Sequence, residues 1–128
     1  MKDAMDEVFG SLEWHDAELL CLSLDRRAPG ERDEVVLLIQ WPDGRKQQLR
    51  FTDCYAFDAQ MNFGVIAAES ILSAQCLSDT PRLAEIGRKW KEMGMEPPEL
   101  RCFEIITNST ASELRVYAKR FVVEDAPA

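Results

Sequence analysis

The chain has 128 residues, 46% hydrophobic and 30% charged, which is long enough and apolar enough to bury its own core and excludes a disordered segment. Its 23 acids against 15 bases leave a formal net charge of −8, and an acidic surface repels phosphate backbones, so no nucleic acid is expected as a partner. No run reaches the ~18–20 apolar residues of a membrane span, and the acidic opening "MKDAMDEV" is no export signal, so a cytoplasmic location without membrane contact is expected.

Residues 1–10 read as an N-terminal arm or short helix. From Glu18 the period changes to two, with Leu20, Leu22 and Leu24 alternating with Cys21 and Ser23, and a strand is expected. "DRRAPGERDE", 25–34, reads as a charged loop around Pro29 and Gly30. "VVLLIQW", 35–41, is β-branched and too short for a helix, with Val35, Leu37, Ile39 and Trp41 sharing a face. "PDG" at 42–44 predicts a hairpin into 45–51, with Leu49 and Phe51 inward and Gln48 and Arg50 outward. A further strand is expected from 52 to about Asn62–Gly64, with Phe51, Asp53, Tyr55 and Phe57 alternating against Thr52, Cys54, Ala56 and Asp58.

Residues 65–77 fit helix or strand, with a lean toward a strand or irregular segment over 69–77. The next stretch predicts a helix. Asp79 or Thr80 caps it, Pro81 suits its first turn, and Leu83, Ile86, Trp90 and Met93 form one stripe; Gly94 and Pro97–Pro98 end it. Strands are expected over 100–107 and 112–123, joined at "NSTAS", with Leu114, Val116 and Ala118 on one face. Residues 124–128 read as a flexible tail. The expected fold is a single α+β domain over 1–128. It has a mostly antiparallel sheet of about six strands, ordered as a meander, a helix and a C-terminal hairpin, with one main helix packed on one face.

His15 is the only histidine, so a Ser–His or Cys–His dyad or a histidine-bearing metal site must use it. HExxH, GxSxG and the phosphate-cradling glycine motifs are absent. The cysteines, at 21, 54, 76 and 102, lack the close pairs of zinc sites and read as reduced thiols, most of them buried. No metal and no cofactor are expected. Trp14, His15 and Asp16 fit either a packed strand entry or a recognition surface. Asn62 and Gly64 of "MNFG" read as a turn.

The segments "FGSLEWHDAELLCLSLD" and "WPDGRKQQLRFTDCYAFDAQMNFGVI" together resemble a group of small uncharacterised bacterial domains with a WHD opening, an F-x-D-C strand and MNFG. That group is similar to immunity-type proteins, which block a toxin by binding it. The resemblance spans residues 9–108 and marks Trp14, His15, Asp16, Asp53, Cys54, Tyr55, Asn62, Phe63 and Gly64, without assigning them roles. It implies a cytoplasmic binder without catalysis.

The functional expectation is therefore a protein-interaction module for a basic protein partner, acting as a monomer or homodimer. Its candidate surface is Trp14, His15, Asp16, Asp53, Tyr55 and Asn62, with Trp14, Tyr55 and Trp41 as candidate anchors. A second expectation is a small enzyme with His15 as general base, oriented by Asp16 or Asp53. A third is a homo-oligomeric structural domain pairing through a long edge strand.

Overall fold

The computed structural model describes residues 4–126. In chain order the elements are α1 (Ala4–Ser11), β1 (Glu18–Ala28), β2 (Arg32–Gln40), β3 (Lys46–Gln60), β4 (Ile71–Leu77), α2 (Pro81–Glu92), β5 (Arg101–Thr107) and β6 (Glu113–Asp125). The fold is α+β, as expected, and its six strands form one antiparallel sheet in the order β1-β2-β3-β6-β5-β4.

The sheet curls until its two edge strands touch. Glu18 of β1 bridges Ser70, just before β4. Around that bridge Leu19 N donates to the Glu69 carbonyl at 2.9 Å, Ile71 N to Ala17 at 2.7 Å and Asp16 N to Ile71 at 3.1 Å. The result is an incompletely closed barrel, sealed at one point and open along the rest of β1.

Alternation fills the barrel. Val35, Leu37 and Ile39 point inward from β2, Trp41 just beyond its end, and Leu49 and Phe51 from β3. Leu114, Val116 and Ala118 do so from β6, and Phe103 and Ile105 from β5. The expected inward faces of 35–41, 45–51 and 112–123 are thus the observed ones.

α1 enters this core. Its Phe9 is fully buried, with ring centroids 5.0–6.3 Å from Trp14, Phe51, Phe103 and Phe121. Asp6 fixes the helix, accepting from Cys76 Sγ at 2.9 Å and Arg101 Nε at 3.2 Å. Among the described residues there are two helices, the short one read at the N-terminus and the main one, each packed against its own apolar cluster. α2 covers the other side of the sheet, where Ile86 packs with Cys102 and Tyr117, and with Leu83 and Trp90 beside Tyr55. Thr80 caps α2, its Oγ1 accepting from Leu83 N at 3.1 Å.

Four expectations need correcting. Residues 25–34 are mostly strand, with the turn confined to Pro29–Glu31, because Arg26–Asp33 and Arg27–Asp25 ion pairs support the hairpin arm. The Arg27 guanidinium and backbone N–H hold the Asp25 carboxyl down to about 2. Residues 46–60 form one long strand rather than two, and its alternation breaks at a bulge between Cys54 and Ala56, next to Asp53 at φ 54°. Leu20 falls out of phase at a second irregularity, between Leu19 and Cys21, and is exposed. Glu124 and Asp125 belong to β6, tied by Glu124 to Arg50 at 2.8 Å and by Asp125 to Gln47 at 3.3 Å, and Ala126 N donates to the Lys46 carbonyl at 3.4 Å; residues 127–128 of the expected tail and 1–3 of the expected arm lie outside the described residues.

Candidate functional site

The sequence-derived candidates fall into three places. Trp14 is core: it is buried, its Nε1 donates to the Phe9 carbonyl at 2.7 Å, and its ring stacks edge-on against Trp41 at 5.2 Å. Trp41 is buried too. Neither is an exposed anchor.

His15 and Asp16 form the turn that enters β1. Asp16 takes φ 69°, a left-handed conformation that Asp tolerates better than most side chains. The His15 side chain is 74% exposed; its Nε2 lies 3.8 Å from Asp16 Oδ2 and its Nδ1 3.4 Å from the Leu72 carbonyl. Among the described residues, the ring's contacts are this carboxylate and this carbonyl, with no hydroxyl or thiol bonded to it.

Asn62 is a clasp. Its N–H donates to Ser112 Oγ at 3.0 Å, and its Nδ2 donates to the carbonyls of Thr110 at 2.8 Å and Ala111 at 3.3 Å. The far end of the same loop is held as well. Thr110 Oγ1 donates to Glu69, and Asn108 N donates to the Ser70 carbonyl at 2.7 Å. The β5–β6 turn thus grips both ends of the 61–70 loop. Ala111 pays for that grip with φ 53°, in a region a Cβ disfavours.

Between the clasps the loop turns its apolar side chains outward. Phe63 is 83% exposed, Val65 52%, and Ile66 fully exposed, with Gly64 at φ 98° setting the bend. Scattered exposed apolar residues are ordinary, but three on a pinned four-residue tip form a patch. The sequence reading marked Gly64 as a turn residue and Phe63 through the resemblance alone, and it missed Val65 and Ile66. Their signal is "FGVIAA", an apolar run with no periodicity to bury it.

Charge sets this end apart. Residues 4–25, 51–81 and 102–114 contain no lysine or arginine. These stretches supply the His15–Asp16 turn, the loop and the turn that clasps it. Glu13, Asp16, Glu18, Glu69 and Glu113 are the acidic residues they bring there. Arg115 of β6 borders this end, pairing with Glu113 at 3.3 Å, and Arg82, Arg88, Lys89 and Lys91 lie on α2.

Asp53 and Tyr55 lie apart, at the bulge. Beyond the Val35–Phe51 pair β2 and β3 separate, opening a cleft of about 490 Å³ lined by Leu24, Val35, Cys54, Tyr55, Phe57 and Trp90 among others. Asp53 reaches Arg120 at 3.2 Å, and Tyr55 meets Trp90 edge-on at 5.1 Å. Burial pushes the Cys54 thiol up to about 11, so it stays protonated at neutral pH and is a poor nucleophile. Iodoacetamide on the native protein is expected to modify exposed Cys21 about tenfold or more faster than Cys54, Cys76 or Cys102, read by peptide mass mapping. Equal rates at Cys21 and Cys54 would contradict this description of the cleft.

Among the described residues, no group of three or more His, Cys, Asp or Glu side chains is arranged to hold a metal, and no helix is long and apolar enough to cross a membrane. No protein-family model matches the chain, and no curated protein matches its sequence.

Proposed function

We propose that the chain is a cytoplasmic, immunity-like interaction module that binds a basic protein partner through the end of the barrel carrying the 61–70 loop. One observation carries this reading. Phe63, Val65 and Ile66 are held in solvent by clasps at both ends of their loop, on an end of the fold built from stretches without a lysine or arginine. Presenting apolar side chains on a prepaid, fixed backbone lowers the ordering cost of binding. Surrounding carboxylates speed encounter with a cation-rich surface and reject acidic ones. His15 and Asp16 flank this patch, since their turn bonds to Ile71 and Leu72 at the loop's exit.

Selection of a random peptide library on the immobilised full chain tests it. Recovered sequences are expected to be rich in lysine, arginine and large apolar residues, with affinities that fall as salt rises. Recovery of acidic sequences, or affinities indifferent to salt, would refute the reading.

A further inference from the structure

We infer that the partner is engaged by strand addition: the outer edge of β1, from Leu20 to Leu24, takes an extended segment whose side chains alternate between apolar and basic. This rests on the reading above and names the manner of binding. β1 pairs with β2 on one side. On the other side its bonds to the described residues are confined to its start, at the Glu18–Ser70 bridge and Leu19 N to the Glu69 carbonyl. Beyond Leu19 that edge offers a row of main-chain donors and acceptors to an incoming strand.

Sheet edges are ordinarily protected by short length, charge, proline or covering elements. β4, the opposite edge, is short at Ile71–Leu77 and is held to α1 through Cys76 and Asp6. β1 runs from Glu18 to Ala28, contains no proline, and reads Leu-Cys-Leu-Ser-Leu over 20–24, with Leu20 and Leu24 exposed. Of its two register irregularities, one, at Leu20, lies at the beginning of the open stretch and the other, between Asp25 and Ala28, lies beyond its end.

The occupant follows from charge and position. The Leu19–Glu69 bond sets the end of the apolar loop against the start of the open edge. A strand added there meets Leu20 and the loop with its apolar side chains. Its other side chains meet Glu18 and Glu69, with no cation of this chain between residues 4 and 25 to repel them. A second copy brings the same acidic residues and the same −8 charge, which disfavours self-pairing.

The probe is a blocked nine-residue peptide alternating valine and lysine, added to the full-length chain and followed by amide hydrogen exchange in NMR. Every second amide between Leu20 and Leu24 is expected to slow by about tenfold or more at saturation. The same peptide N-methylated at alternate amides, and one alternating valine and glutamate, are expected to give no protection. Protection confined to residues 62–70 would overturn strand addition while leaving the basic-partner reading intact. Equal protection by the glutamate peptide would overturn both. Protection of β1 that grows with protein concentration alone would overturn the proposal in favour of a second copy.

Discussion

Replacing Phe9 with alanine is expected to destabilise the protein by about 3–5 kcal/mol, the range for emptying a large aromatic site in a packed core. Phe9 is where the barrel's interior is completed from outside the sheet. It is fully buried and touches rings from the entry turn (Trp14), β3 (Phe51), β5 (Phe103) and β6 (Phe121). No neighbour can collapse into the space, because these four rings are fixed by strands that pair in register and by the Trp14–Phe9 hydrogen bond. Thermal unfolding followed by circular dichroism should show a midpoint lowered on the order of 10–20 °C. Phe9→Leu, which keeps most of the volume, should lose much less. A midpoint unchanged in Phe9→Ala would mean that α1 is an appendage rather than a structural part of the core.

The second large effect concerns binding alone. Ile66→Asp puts a charge on a side chain that is fully exposed and contributes nothing to the core, so stability should stay within about 0.5 kcal/mol of the parent. Affinity for the peptides recovered by selection should fall about tenfold or more, the loss expected when a contact near the centre of an interface is replaced by a group that must be desolvated. Val122→Asp, at an exposed apolar position on β6, is the control and should bind as the parent does. Isothermal titration of both variants reads the difference. Equal affinities for Ile66→Asp and the parent would remove the loop from the interface.

The α+β class and the six antiparallel strands were legible because period-two alternation reports burial on one face. Val35 to Trp41, Leu49 and Phe51, and Leu114 to Ala118 all sit as their spacing predicts. The α2 cap and stripe were legible for the same kind of local reason, although Met93 at the end of the stripe is exposed. What failed depends on long-range geometry. A bulge shifts alternation by one residue without a required residue type, so Leu20, Cys54 and Tyr55 were assigned to the wrong faces, while Phe57 packs on the same side as Phe51 as its spacing predicts. Closure of the sheet depends on main-chain bonds between residues some fifty apart, as between Leu19 and Glu69, and main-chain groups are the same in every sequence.

The candidate site was legible in part. His15, Asp16 and Asn62 lie at the end that carries the loop, whereas Asp53 and Tyr55 belong to the cleft between β2 and β3. Trp14 was ambiguous from sequence, since a tryptophan beside a charged pair suits a surface and a core entry equally. Its hydrogen bond to Phe9, made possible only by α1 folding back, places it in the core. Val65 and Ile66 were passed over because apolar residues are read as buried by default. Only the clasps at Asn62 and Glu69 reveal that this loop is held outward.

A chemical-shift map of the full chain titrated with a lysine-rich peptide from the selection tests the central claim most directly. The account predicts perturbations at His15 and Asp16, through the 61–70 loop and along β1, with α2 and the cleft residues Tyr55 and Trp90 unmoved. Perturbations centred on Tyr55, Trp90 and the hairpin arm instead would contradict it.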